Sequence, residues 1–322
     1  MEPRIKANPM WFRSSISTEL AETSRKLLDE WFSYHKSPPQ TLYHYTTAAG
    51  LIGLLQSNRV WASHAGFLND ASEVVYAQRL VAGVLDQRAS GISDEIGAEF
   101  FRRAQRMAEP TSGYREFYVA CFCEDGDLLS QWRAYGSAGG GYSIGFASHE
   151  IGMRWQLLPE FFLRRVLYEE DVQVDLVTKV VDRTLKTLLS SVGGQSLEEA
   201  NSTIAAALMF LDDHLAEYLF TFKSSTFAEE KEWRAVLNLY SFERDDRLSK
   251  LEFRNSNGLA VPYFALDLSP SAGVNTDRLP ITSVRFGPTL HPDLAERSLQ
   301  MVLRRHRYSF AQVFRSNVPL RF

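Results

Sequence analysis

Cysteine is scarce in this sequence, which holds only Cys121 and Cys123 among its 322 residues. If the apolar run around them is a strand, the alternation of side chains puts both thiols on one face. Two thiols cannot supply the four ligands of a structural zinc site, and no histidine stands at a finger-like spacing from them. We therefore expect two small core residues and no metal site.

Long apolar runs and an excess of positive charge are also missing. No stretch approaches the roughly 20 apolar residues that a membrane-spanning helix needs, and the first residues lack the apolar segment of a signal peptide. The formal net charge of -4 gives no general attraction to nucleic acid or to an anionic membrane. We expect a soluble, cytoplasmic protein without a membrane partner.

The common glycine-rich nucleotide motifs are absent, since neither Gly-Lys-Ser/Thr nor a Gly-x-Gly-x-x-Gly that opens a helix is present. The glycines between residues 136 and 141 predict a flexible loop instead, and Tyr135 and Tyr142 flank this loop. Such a loop lets the backbone approach a ligand closely, and a tyrosine can stack on a planar ring. An ordinary connection between core aromatic residues is the plainer interpretation.

What the sequence does contain is the alternation of helical and strand patterns typical of a single α+β domain. Its hydrophobic content of 45% and aromatic content of 12% predict a sizeable core. A helix is predicted over 15–35 within an N-terminal helical extension, 1–40, and the core spans 41–322. Two long helices at about 171–219 are interpreted as a pair inserted into a mixed, mainly antiparallel sheet. Its strands are predicted at 42–45, 60–63, 114–123, 142–146, 161–168, 231–239, 260–268, 281–286 and 309–314.

The segment 230–234, Glu-Lys-Glu-Trp-Arg, places two acids among aromatic and aliphatic residues. The pattern predicts a strand over 230–239, on which Glu230, Glu232 and Arg234 share one face. Repulsion between the two acids would raise the pKa of one, while Arg234 or Lys223 holds the other ionised. For this segment alone, a solvated face crossed by ion pairs is the plainer alternative and the preferred one.

Residues 43–46, Tyr-His-Tyr-Thr, stand where a predicted strand passes into a predicted helix. Backbone N–H groups point outwards at such a junction, so His44 and Thr46 there can hydrogen-bond a ribose or a phosphate. The alternative is a helix cap beside a core histidine, and on these residues alone it is the preferred interpretation.

Several motifs, taken in order, resemble the bacterial domain of unknown function 2971 family. They are Leu-Tyr-His-Tyr-Thr, Leu-Asn-Asp-x-x-Glu, Cys-Phe-Cys, Leu-Leu-Ser-Gln-Trp-x-x-Tyr, Gly-Tyr-Ser-Ile-Gly-Phe, Phe-Lys-Ser, Glu-x-Glu-Trp-Arg and a late Phe-Gly-Pro. The resemblance runs from about residue 41 to the end. The name of that family supplies no activity.

An early histidine, tyrosines in mid-chain and a late Glu-x-Glu are similar to the ADP-ribosyltransferase fold. This resemblance implies NAD as a co-substrate, with the histidine on the adenosine-side ribose, an aromatic ring on the nicotinamide and the late glutamate beside the nicotinamide ribose. Carried over to this chain, it makes Glu232 catalytic, with Glu230 as its partner. The residues expected to bind NAD are His44, Tyr45, Thr46, Tyr135, Tyr142, Ser143 and Arg234.

The same resemblance implies transfer of ADP-ribose to a protein or nucleic-acid acceptor, by a toxin or an antiphage-defence effector with a regulatory or antitoxin partner. Cleavage of the nicotinamide–ribose bond develops positive charge on the sugar, which a fixed carboxylate stabilises. A second carboxylate can accept the proton of the incoming nucleophile. Hydrolysis of NAD by water is an alternative, and a non-catalytic module that binds a nucleotide or a protein is another.

Overall fold

Within the described residues of the computed structural model, ten strands join into one sheet. The structure describes residues 37–67, 72–108, 117–135, 140–155, 161–238, 250–256, 258–268 and 278–319, and six residues between positions 19 and 27. The strands are β1 Thr41–Thr46, β2 Val60–His64, β3 Phe117–Cys123, β4 Tyr142–Ala147, β5 Phe161–Arg165, β6 Glu232–Asn238, β7 Glu252–Ser256, β8 Leu259–Leu266, β9 Ile281–Phe286 and β10 Gln312–Arg315.

The main path of the sheet runs β10-β9-β4-β1-β3-β2-β8-β7, and β6 and β5 continue from β3. Among the paired strands described, β10 and β9 are parallel and the other pairs are antiparallel. The predicted fold class, α+β with a mixed and mainly antiparallel sheet, is therefore confirmed. β7 was not predicted from the sequence.

Strand β3 is the branch point of the sheet. Along one edge it pairs with β6 over its whole length. Along the other edge β2 pairs near its start, where Ser63 faces Val119, and β1 pairs near its end, where Tyr43 faces Cys123. No described strand pairs with residues 120–122 on that second edge. We call the space bordered by β1, β2 and residues 120–122 the strand gap.

Eight α-helices have bounds within the described ranges. They are α1 Ala48–Ser57, α2 Ser72–Ala89, α3 Glu95–Ala108, α4 Leu129–Tyr135, α5 Ser148–Trp155, α6 Glu170–Ser191, α7 Leu197–Leu219 and α8 Pro292–Arg305. Thr47 caps α1, because its side chain accepts a hydrogen bond from the backbone N–H of Gly50. A capping box formed by Ser196 and Glu199 begins α7.

The protein has two large apolar cores. One face of the sheet packs against α1 and α8, burying residues such as Leu42, Phe146 and Trp233. The second core lies among α2, α3, α6 and α7, and Leu20 and Leu27 pack into it. The two long helices predicted at 171–219 therefore pack with α2 and α3 around a core of their own.

Parts of the predictions lie outside the described residues. The described residues between 19 and 27 are helical, as predicted for 15–35, and the other positions of that predicted range lie outside the described residues. Residues 136–139 of the glycine-rich loop also lie outside. No helix in the described ranges has the length and apolar character that crossing a membrane requires.

Candidate functional site

The two acids of the Glu-x-Glu segment do not share a strand. Residues Ser225–Glu230 form a short 3-10 helix, and Lys231 ends it with a positive φ of 44°. Strand β6 then begins at Glu232. The predicted strand over 230–239 is thus wrong at its start, because the left-handed backbone at Lys231 turns the chain between the two acids. Lys223 nevertheless brings their carboxylates together, since its Nζ lies 2.6 Å from Oε2 of Glu230 and 3.2 Å from Oε2 of Glu232.

Glu232 and Arg234 are buried, at 4% and 2% exposure, so this part of β6 is not a solvated face. Nε of Arg234 donates to Oε1 of Glu232 over 2.8 Å, and Nη2 donates to Oε2 over 2.9 Å. Burial acts to raise the pKa of Glu232, but Arg234 and Lys223 outweigh it and hold the pKa well below its usual range. Glu232 is therefore the acid that is held ionised. We call Lys223, Glu230, Glu232 and Arg234 the charge cluster.

Hydrogen bonds from several elements hold the charge cluster in place. The backbone N–H of Glu232 donates to the hydroxyl of Tyr168 over 2.9 Å, and Nη1 of Arg234 donates to the carbonyl of Phe220 over 3.1 Å. Gln173, fully buried in α6, donates to the carbonyl of Lys223 over 3.0 Å. Contacts from α6 and from the end of α7 thus hold Lys223 and Arg234 in place. Arg234, expected to bind NAD, is committed to these contacts.

The two cysteines lie beside the charge cluster. In the pairing of β3 with β6, Cys121 faces Arg234 and Cys123 faces Glu232. The side chain of Cys121 hydrogen-bonds Glu232 and contributes to its lowered pKa. Burial, and then the charge of Glu232, raises the pKa of Cys123, so this thiol is neutral at pH 7. The sequence predicted that both thiols share one face of a strand. Only the β3–β6 register shows that this face lies beside Glu232 and Arg234.

Tyr135, at the end of α4, is brought close to the same cluster. Its half-buried ring packs near Cys123 and Trp132. Burial raises the pKa of Tyr135, and the charges of nearby groups, Glu232 and Glu230 among them, raise it further. The phenol therefore stays protonated at neutral pH.

His44 lies on β1 at the border of the strand gap, where its ring packs against Phe122. Its Nδ1 lies 2.8 Å from the carbonyl oxygen of Cys121. A carbonyl only accepts, so Nδ1 carries the proton and Nε2 presents a lone pair. Burial lowers the pKa of His44 despite that carbonyl, and the charge of Arg254 lowers it further. His44 is thus a neutral imidazole, and its Nε2 makes no hydrogen bond to the described part of the chain.

The other four residues predicted to bind NAD have different surroundings. The hydroxyl of Tyr45 donates to the carbonyl of Asp125 and accepts from the N–H of Leu128, so it holds the loop before α4. Tyr142 packs against the apolar core of the sheet, and burial raises its pKa. Thr46 pairs with Tyr142 across β1 and β4, and buried Ser143 pairs with Tyr45. Of the two tyrosines that flank the glycine-rich loop, Tyr135 is the one beside the acids.

No grouping of three or more His, Cys, Asp and Glu residues within the described ranges has the arrangement of a metal site. The groups gathered at the site are charged side chains, a neutral imidazole and a phenol. The sequence suggested His44, Tyr135 and both acids as candidates, interpreted Cys121 as a core residue, and gave no sign of Arg254.

Comparisons with known proteins cover part of the chain. Residues 131–235 match a family described as Protein of unknown function (DUF2971). The match is narrower than the resemblance expected from residue 41 to the end, and it runs through both long helices and the charge cluster. No curated protein and no solved structure matches the chain, and no match to an ADP-ribosyltransferase was found. The region 131–235, from α4 into β6, is thus similar to the DUF2971 family.

Proposed function

We propose that the protein is an NAD-dependent ADP-ribosyltransferase whose site lies where the strand gap meets the charge cluster. One observation carries the proposal: a neutral imidazole and an acid both contact Cys121, a protonated phenol lies near it, and Lys223 joins a second acid to the first. His44 bonds the carbonyl of Cys121, Glu232 bonds its side chain, and Tyr135 is its electrostatic neighbour. A carboxylate can stabilise the sugar cation that forms when a nicotinamide–ribose bond breaks, an imidazole can bind a ribose hydroxyl, and a phenol ring can pack against nicotinamide.

The two acids take different roles in this proposal. The low pKa of Glu232 makes it unsuitable as a base near neutral pH, but it supplies a permanent negative charge that can stabilise an oxocarbenium-like sugar. Glu230 is nearer the surface, with 18% of its side chain exposed. It would accept the proton of the acceptor as the acceptor bonds to C1′ of the ribose, while nicotinamide leaves with the electrons of the broken bond.

His44 would hold a ribose hydroxyl. Because Nδ1 donates to a carbonyl, Nε2 of the neutral ring is an acceptor, and a hydroxyl is a suitable donor to it. Tyr135, beside the acids, would pack against the planar nicotinamide ring.

The experiment measures nicotinamide released from NAD, with and without cell extract. We expect extract-dependent release, and we expect Glu230→Gln to lower the rate about 100-fold or more, as the loss of a general base does. Glu229→Gln is the matched control, since it changes an exposed glutamate of the same 3-10 helix. Equal rates for both variants would remove Glu230 from the mechanism. Release without extract would indicate that water is the acceptor.

One observation favours a second candidate, a module that binds a nucleotide without chemistry. The carboxylate of Glu232 is paired with two cations, which is also how a purely structural ion cluster is satisfied. Under this alternative, NAD or ADP-ribose raises the melting temperature, because a ligand that binds only the folded state stabilises it. No nicotinamide would be released.

A further inference from the structure

Arg254 on β7 is a half-buried cation that is paired with no acid of the described chain. Its Nη2 donates to Oγ of Ser63 over 3.0 Å. Its Nε is buried and has no hydrogen-bond partner among the residues that the structure describes. The acid nearest in sequence, Glu252, accepts instead from the hydroxyl of Tyr263 over 2.6 Å. This differs from Arg234, whose guanidinium is held by a carboxylate and a carbonyl.

Such an arrangement around a charged guanidinium is energetically unfavourable. A buried N–H without an acceptor destabilises the folded protein, and more so when the group is charged. Burial lowers the pKa of Arg254, in keeping with a charge that is poorly compensated. An arriving anion would satisfy both the charge and the unpaired N–H.

The position of Arg254 relates it to His44. Ser63, its hydrogen-bond partner, faces Val119 on β3, and His44 bonds the carbonyl of Cys121 two residues further along the same edge. Two residues of strand span about 7 Å. Arg254 and Ser63 thus lie on the β2 side of the strand gap and His44 lies on the β1 side. The charge of Arg254 lowers the pKa of His44, in keeping with this proximity.

We propose that Arg254 and Ser63 form a subsite for the phosphoryl groups of a nucleoside diphosphate whose ribose is held by His44. The planar guanidinium offers parallel N–H donors that match phosphate oxygens. Oγ of Ser63 accepts from Arg254, so its own proton is available to donate to a phosphate oxygen. That this diphosphate is part of NAD rests on the proposed function.

Calorimetry with ADP, inorganic pyrophosphate and adenosine tests the subsite on the full chain. We expect Arg254→Gln to lower the affinity for ADP and for pyrophosphate about 10- to 100-fold, as the loss of hydrogen bonds to a charged group does. The affinity for adenosine should not change. Arg254→Lys keeps the charge but not the paired donors, and an intermediate loss is expected. The matched control is Arg59→Gln, because Arg59 already has an acid, Asp267, 3.7 Å away.

A structural role for Arg254 gives a different result. If the guanidinium only stabilises the fold, Arg254→Gln lowers the melting temperature of the protein without ligand, and ADP still stabilises the variant as it does the wild type. We expect the reverse: a melting temperature no lower than that of the wild type and a lost response to ADP. Unchanged ADP affinity in Arg254→Gln, or equal losses in Arg59→Gln, would overturn the subsite.

The subsite and the proposed function can fail separately. Binding of ADP that depends on Arg254, without nicotinamide release from NAD, would keep the subsite and remove the transferase. Nicotinamide release with the same KM for NAD in wild type and Arg254→Gln would keep the transferase and remove the subsite.

Discussion

Replacing Glu232 by glutamine removes an acid that contacts both buried cations of the charge cluster. In the native protein its two oxygens accept from Arg234 at 2.8 and 2.9 Å, and Lys223 lies 3.2 Å away. Glutamine has the same shape but no charge, and its amide places donors where two cations already point donors. Removing one partner of a buried ion pair costs about 3–5 kcal/mol, because the other charge stays buried. Since a folded domain has about 5–15 kcal/mol of stability, this is a large fraction.

The contribution of Glu232 to stability depends on pH, because only the ionised carboxylate pairs with the two cations. The folded-state pKa of Glu232 lies below its unfolded value of about 4.3. Its contribution is therefore present in full above the unfolded pKa and is lost as the pH falls through the lower, folded pKa. We expect wild-type stability to decline over that acid range, and Glu232→Gln to lack this part of the decline.

Urea unfolding at pH 7 and at acid pH measures both effects. We expect the urea midpoint of Glu232→Gln to fall by on the order of 1 M at pH 7, and the gap to the wild type to narrow as the pH falls. The control is Glu296→Gln, which changes an exposed glutamate of α8 and should stay within about 0.5 kcal/mol. A free energy of unfolding equal to that of the wild type at pH 7 would refute the reasoning, because the cations would then need no acid.

Two further substitutions test how the site is held. Tyr45→Phe removes the hydroxyl that bonds the carbonyl of Asp125 and the N–H of Leu128. We expect the free energy of unfolding, measured with urea, to fall by about 1–3 kcal/mol. No loss would show that water replaces the hydroxyl. Gln173→Leu leaves the carbonyl of Lys223 without its buried donor. We expect a similar or larger loss of unfolding free energy, and weaker ADP-ribose binding by calorimetry. Unchanged stability would show that the contact from α6 does not hold the charge cluster in place.

Local signals in the sequence were sufficient for most elements. Strand β9 has the predicted bounds, 281–286, and the apolar strand β3 ends at Cys123 as predicted. The error at Glu230 has a physical cause. A left-handed Lys231 between two acids has no signature in residue type, because glycine or asparagine normally marks that conformation.

The sequence by itself determined which residues carry charge, which are apolar and how they alternate, because these depend on side-chain chemistry and on neighbours along the chain. It therefore predicted the α+β class and His44, Tyr135 and the two acids as candidates. The tertiary structure decided that Arg234 is hydrogen-bonded to Glu232, that Tyr142 packs against the core, and that Arg254 borders the strand gap. Those facts depend on strand register and on burial, which join residues far apart in the chain and which no local pattern encodes.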